Sequence, residues 1–193
     1  FSSKSAITLA DNHLQSYCCS LIRGILEDSL SGKLDFLHGM VFPHTCDSIQ
    51  RLSDMIRISG RYKFFTDVVL PVKLNTDSAQ NYMIEILKQF KSKLESASGR
   101  SITDDDIRTA IRLFNKIRKK LSAIYTFNAQ NPGIISANDL YALVRGAMIM
   151  DREKALDLLS DIAWELEKKD DGAHQNSKRL LLSGSVCDIP SIF

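Results

Sequence analysis

Apolar residues recur along this chain with two different periods, and the alternation between them outlines its elements. Leu14, Tyr17, Cys18, Leu21, Ile22, Ile25 and Leu26 fall at helical spacing, which predicts a first helix capped by Thr8 or Asp11 and running to about Ser31-Gly32. Gly24 weakens that helix a little. A short apolar run from Phe36 to Phe42, ended by Pro43, suits a buried parallel strand. His44-Thr45-Cys46-Asp47 reads as the loop after it, with Asp47 or Ser48 capping a second helix that carries Ile49, Leu52, Met55 and Ile56 and closes near Gly60. A second strand follows from Phe64 to Leu70, ended by Pro71.

Beyond Thr76 the period is helical for roughly a hundred residues. One helix spans Asp77 to Ala97, with Tyr82, Ile86, Leu87, Phe90 and Leu94 as its stripe, and Gly99 ends it. The next starts at Thr103, with Asp104 to Asp106 in the first turn, where acids complement the helix dipole. Its stripe is Ile107, Ile111, Phe114, Ile117 and Leu121, and Arg118-Lys119-Lys120 form a solvated face. Ser136 caps a helix to about Met150, and another runs from Arg152 to Lys168. A polar linker, Asp170 to Ser177, leads to a strand at Leu180-Leu181-Leu182 and a turn at Ser183-Gly184-Ser185. The expected fold is therefore α/β: a parallel-sheet domain over 1–75, a helical segment over 76–177, and the first strand of a second α/β domain over 178–193. Phe1 in place of an initiator methionine, and a last strand with no crossover after it, give the expectation of a chain cut at both ends.

Composition narrows the classes without choosing one. The 193 residues are 44% hydrophobic and 25% charged with a formal net charge of +2, which fits a packed protein and points to neither nucleic acid nor a membrane surface. No apolar run approaches the roughly 18 residues of a membrane helix, and no signal peptide is recognised. Four cysteines are too few for a secreted disulfide scaffold, so the expected compartment is reducing and cytoplasmic.

The cysteines are the candidate chemistry. Cys46 follows a predicted buried strand and precedes a helix, at the sheet edge where ligands of open α/β folds bind. A helix N-terminus also suits a metal-binding thiolate. The competing reading is a small packed residue. Cys18 and Cys19 fall inside the predicted first helix about 100° apart, which favours two packed thiols over a shared metal. Cys187, after the last strand, is open to either role. His44 with Cys46 invites zinc or redox-thiol chemistry, but no paired-ligand spacing accompanies them. Walker, dinucleotide-binding and nucleophile-elbow motifs are missing.

Taken as one set, Tyr17-Cys18-Cys19-Ser20-Leu21-Ile22-Arg23-Gly24 and Phe36 through Pro43-His44-Thr45-Cys46-Asp47-Ser48 resemble the 2-hydroxyacyl-CoA dehydratase and benzoyl-CoA reductase family. The stretch from Leu70-Pro71 through Asn115 and the returning strand with Ser183-Gly184-Ser185 fit it too. The resemblance implies a subunit with α/β domains and a helical segment between them, in which three cysteines hold a [4Fe–4S] cluster with one iron open. It implies a homologous partner subunit, an ATP-hydrolysing activator that delivers single electrons, and an acyl-CoA substrate that is dehydrated or reduced. By position it makes Cys19 and Cys46 cluster ligands, selects Cys19 over Cys18, and places the third ligand beyond Phe193. A relative that keeps the fold as a scaffold or acyl-CoA binder without a cluster is the alternative.

Overall fold

A computed structural model describes residues 6–168. They fall into two compact units that divide between Ile102 and Thr103. The first is built on a β-α-β crossover. Strand β1 (Gly39–Pro43) pairs in parallel with β2 (Phe64–Val68), from Gly39 opposite Phe64 to Pro43 opposite Val68, and helix α2 (Asp47–Ser59) connects them. The fold class is α/β, as expected: mostly helical, with a small parallel sheet in the first unit.

Helix α1 (Ser20–Leu30) and α2 pack against each other and share one core with the sheet. Ile22 and Leu26 on α1, Leu52 and Ile56 on α2, each pair one turn apart, meet Phe42 of β1 there. The Phe42 and Phe65 rings lie 5.3 Å apart in a tilted pair on the same core. Alternation along β2 sends Thr66 to the other side, where helix α3 (Asp77–Ser98) covers it and Lys93 Nζ donates to Thr66 Oγ1 at 3.1 Å. Thr76 caps α3, and Gly99 closes it in the left-handed conformation, the closure that the sequence predicts. In the α3 stripe Ile86, Phe90 and Leu94 are half-buried, whereas Tyr82 and Leu87 are exposed.

The second unit has its own core. Helices α4 (Asp104–Gln130), α5 (Ala137–Ile149) and α6 (Arg152–Glu167) bury Ile117, Ile124, Ala147, Leu159, Ala163 and Leu166 together. Thr103 and Asp106 close a reciprocal capping box at the start of α4, and Ser136 and Asp151 cap the next two helices. The α4 stripe is displaced towards its C-terminal half: Ile107, Ile111 and Phe114 are exposed, and Ile124 takes a core place.

Three expectations need correcting. The first helix does not start near Thr8. A 3₁₀ turn (Ala10–Asn12) and an irregular stretch precede α1, which begins only at Ser20. The cause is Glu27. Its buried carboxylate accepts from the amides of Thr8 (3.0 Å) and Ala10 (2.9 Å) and from the Thr8 hydroxyl (3.2 Å), folding the segment back along α1. Leu14 and Cys18 still reach the α1 core, so the four-residue spacing is met by a turn rather than a helix. Tyr17, also placed on the stripe, is 86% exposed. The first strand begins at Gly39, not Phe36, and Phe36 is exposed. The second ends at Val68, leaving Val69 and Leu70 exposed. Among the described residues no helix is long and apolar enough to cross a membrane. The predicted terminal strand at Leu180, Ser183-Gly184-Ser185 and Cys187 lie outside the described residues.

Two outcomes follow from this packing. A Cβ on Gly39 would overlap the carbonyl oxygen and Cβ of Phe64, so Gly39→Ala should lower unfolding free energy by about 1–3 kcal/mol in urea titrations followed by circular dichroism. Hydrogen bonding holds the Glu27 carboxyl below its ordinary value of 4.5; the Ala10 amide contributes most, burial opposes it, and the Thr8 and Leu9 groups add to it. A depressed carboxyl stabilises the fold fully above about 4.5, and the contribution disappears as pH falls through the lower folded-state value. Thermal melts should show this acid-sensitive component in the native chain, and Glu27→Gln should lose it while melting lower at neutral pH.

Candidate functional site

The carboxyl edge of the sheet is where β1 hands over to α2. The ladder ends one residue past Pro43, where the His44 amide donates to the Val68 carbonyl at 3.1 Å. Thr45 N then bonds back to the Pro43 carbonyl at 2.8 Å, and this tight turn delivers Cys46 to the N-cap of α2. The cap is neither Asp47 nor Ser48, the two residues that the sequence predicts for it; Asp47 is the first residue of the helix. Cys46 has extended backbone (φ −156°, ψ 166°), and its carbonyl accepts the first helical bond from Gln50 N at 3.3 Å.

Cys19 occupies the same kind of place. It is the N-cap of α1, not a mid-helix residue, with φ −60° and ψ 149°, and its carbonyl accepts from Arg23 N at 3.2 Å. Both thiols are free and both residues are exposed. Cys18, one position earlier, is 7% exposed and part of the core. The two adjacent cysteines thus divide: the packed-thiol reading describes Cys18 and does not describe Cys19.

These two caps stand apart from the others. Thr76, Thr103, Ser136 and Asp151 each place a side-chain oxygen on a first-turn amide, whereas Cys19 and Cys46 make no side-chain cap bond. Sulfur is a weak acceptor, and an N-cap oxygen stabilises a helix by about 1 kcal/mol. At α1 and α2 that stabilisation is forgone, and an exposed sulfur sits at the partly positive end of the helix, a position that favours anionic groups.

The same edge holds a polar cluster that the sequence reading missed. Asp67 Oδ1 accepts from His44 Nε2 at 2.8 Å and also from the Ser53 hydroxyl. Ser53 is 1% exposed, so the carboxylate provides a partner for a hydroxyl buried on the apolar face of α2. A carboxylate inside the apolar run Phe64–Leu70 was the available signal, and the distance between the three residues in sequence hid it. With His44 Nε2 engaged by Asp67, the zinc or redox-thiol reading of His44 with Cys46 would have to use the ring's Nδ1. Among the described residues no group of three or more His, Cys, Asp and Glu side chains is placed to hold a metal ion.

For a thiolate-bound iron–sulfur group, Cys19 and Cys46 fit in chemical kind, being free, exposed and at helix ends. In number they supply two ligands. A separate open groove of about 390 Å³ lies between the loop after β2 and the first turns of α3, lined by Pro71, Leu74, Thr76, Ala79, Met83 and Ile84; neither cysteine lines it.

Comparison with known proteins agrees with the motif resemblance. The model of the family described as 2-hydroxyglutaryl-CoA dehydratase, D-component, matches residues 2–193. A benzoyl-CoA reductase subunit of Thauera aromatica is 33% identical over 184 residues, covering 94% of this chain and 47% of the relative. The (R)-phenyllactyl-CoA dehydratase beta subunit of Clostridium sporogenes is 23% identical over 186 residues, covering 96% and 50%. The beta subunit of (R)-2-hydroxyglutaryl-CoA dehydratase from Acidaminococcus fermentans is 25% identical over 178 residues, covering 92% and 47%. The chain thus spans about half the length of these relatives. With residues 2–193 of its 193 matched by the family model, the chain belongs to the 2-hydroxyglutaryl-CoA dehydratase D-component family.

Proposed function

We propose that this chain supplies two thiolates, Cys19 and Cys46, to a [4Fe–4S] cluster in a subunit of an acyl-CoA enzyme of the benzoyl-CoA reductase or 2-hydroxyacyl-CoA dehydratase type. The observation that carries the reading is the pair of uncapped helix starts, where an exposed free thiol stands in place of a capping oxygen. The third ligand is the one that the family resemblance implies beyond Phe193. Bound there, such a group would provide single electrons and an open iron for a CoA thioester. The chain's own part is to fix two sulfur positions at helix starts, leave first-turn amides beside them, and keep Cys18 packed out of the way. A homologous subunit and an ATP-hydrolysing activator complete the enzyme; that the relatives are themselves named as subunits supports the first of these. Dehydration and ring reduction are both compatible with these residues.

Anaerobic reconstitution of the full-length protein, read by iron content and by visible and electron paramagnetic resonance spectra, tests this. The native protein should take up about four iron per site, while Cys19→Ser and Cys46→Ser should lose most of it and Cys18→Ser should retain it. Serine is a better N-cap than cysteine, so the Cys19 and Cys46 variants should unfold no earlier, and by up to about 1 kcal/mol later, in urea. Iron loss without loss of stability separates a ligand from a packing residue. Full iron uptake by both variants would sink the proposal.

A further inference from the structure

Three elements meet at one carboxylate, and the ring bonded to it belongs to the residue two positions before Cys46. Asp67 lies on β2, Ser53 on α2, and His44 on the link between β1 and α2. Ser53 is fully inside, whereas the His44 and Asp67 side chains are 21% and 24% exposed, so the cluster runs from the core out to the sheet edge. An ionised carboxylate only accepts, so both bonds to Oδ1 are donated to it, by the serine hydroxyl and by the His44 ring. Ser53 fixes the carboxylate from beneath, and the carboxylate fixes the ring. The link itself has few restraints of its own. Its backbone bonds are those of His44, Thr45 and Gln50, and Cys46 adds none through its side chain.

We propose that Asp67, anchored by Ser53, acts through His44 as a positioning residue for Cys46, locking the three-residue link so that the thiol is held at the α2 N-cap. This inference rests on the reading of Cys46 as a cluster ligand. A charge-assisted bond at the start of the link does here what a capping oxygen does on α3 to α6: it stops the first turn from fraying. It does so without occupying the place where the sulfur stands.

The test uses the full-length protein with His44→Ala, which leaves buried Ser53 its partner, and His44→Gln, whose side-chain amide can still donate to Asp67. In the cluster-free protein, amide exchange at His44, Thr45 and Gln50 should quicken about tenfold in His44→Ala, as loss of one charge-assisted bond permits. Exchange within α1 should not change, and His44→Gln should restore the native rate. In reconstituted protein, removal of iron by a chelator should quicken by a similar factor in His44→Ala and recover in His44→Gln, with the melting temperature of the cluster-free chains held. Unchanged exchange in His44→Ala overturns the inference whether or not iron binds. Native protein that takes up no iron overturns the proposed function instead, and the exchange comparison still decides the role of Asp67.

Discussion

The parallel pairing of β1 with β2 is the constraint on which the first unit depends, and its register is set by the close approach of Gly39 to Phe64. Starting the ladder there puts Phe42 opposite Asp67 and Pro43 opposite Val68. That places Phe42 and Asp67 on the face covered by α2, where the ring joins the core and the carboxylate meets Ser53. It also leaves His44 at the end of the ladder, with its amide on Val68 and its ring on Asp67. A slip of one residue would turn Phe42 to the α3 side and carry Asp67 away from Ser53. The position of Cys46 is therefore a consequence of a backbone contact at the far end of the strand.

Much of this was legible in the sequence, for identifiable reasons. Prolines at 43 and 71 bounded the strand regions, and Thr103, Ser136, Gly60 and Gly99 marked helix ends, because caps and left-handed closures act locally. The first helix was misread because Leu14, Cys18, Ile22 and Leu26 keep a four-residue spacing into one core although only the last two are helical. Periodicity reports which side chains face inward and not which hydrogen bonds the backbone makes. What interrupts the helix is Glu27, a residue 17 to 19 positions away from the amides it holds.

The same limit hid the most informative property of the candidate site. Cys19 is a cap because the helix starts there, and the helix starts there because Glu27 has taken the preceding segment. Nothing in Cys18-Cys19 as a pair states which thiol is packed and which is exposed. The family resemblance chose Cys19 from its neighbours; in the fold Cys18 is buried and Cys19 is exposed. Local preferences normally agree with the fold, and places where they do not are often functional. Among the described α-helices, the two whose N-cap is a cysteine depart from that local preference, and the other four cap with a side-chain oxygen.

Cys19 and Cys46 also share a manner of support. Ahead of Cys19, Glu27 of α1 holds Thr8 and Ala10, and Arg23 of α1 pairs with Asp11. Ahead of Cys46, Asp67 of β2 holds His44. In each case a charged side chain on a packed element grips the incoming segment, and the cysteine itself contributes only backbone to the helix start. An oxygen cap would fix the same turn, but it would need the position that the sulfur occupies. Moving the restraint upstream frees the cap residue to carry a side chain chosen for something other than helix stability. That separation between what orders the turn and what stands on it explains why the two helix starts can forgo an oxygen cap while the segments leading to them remain tied to the core.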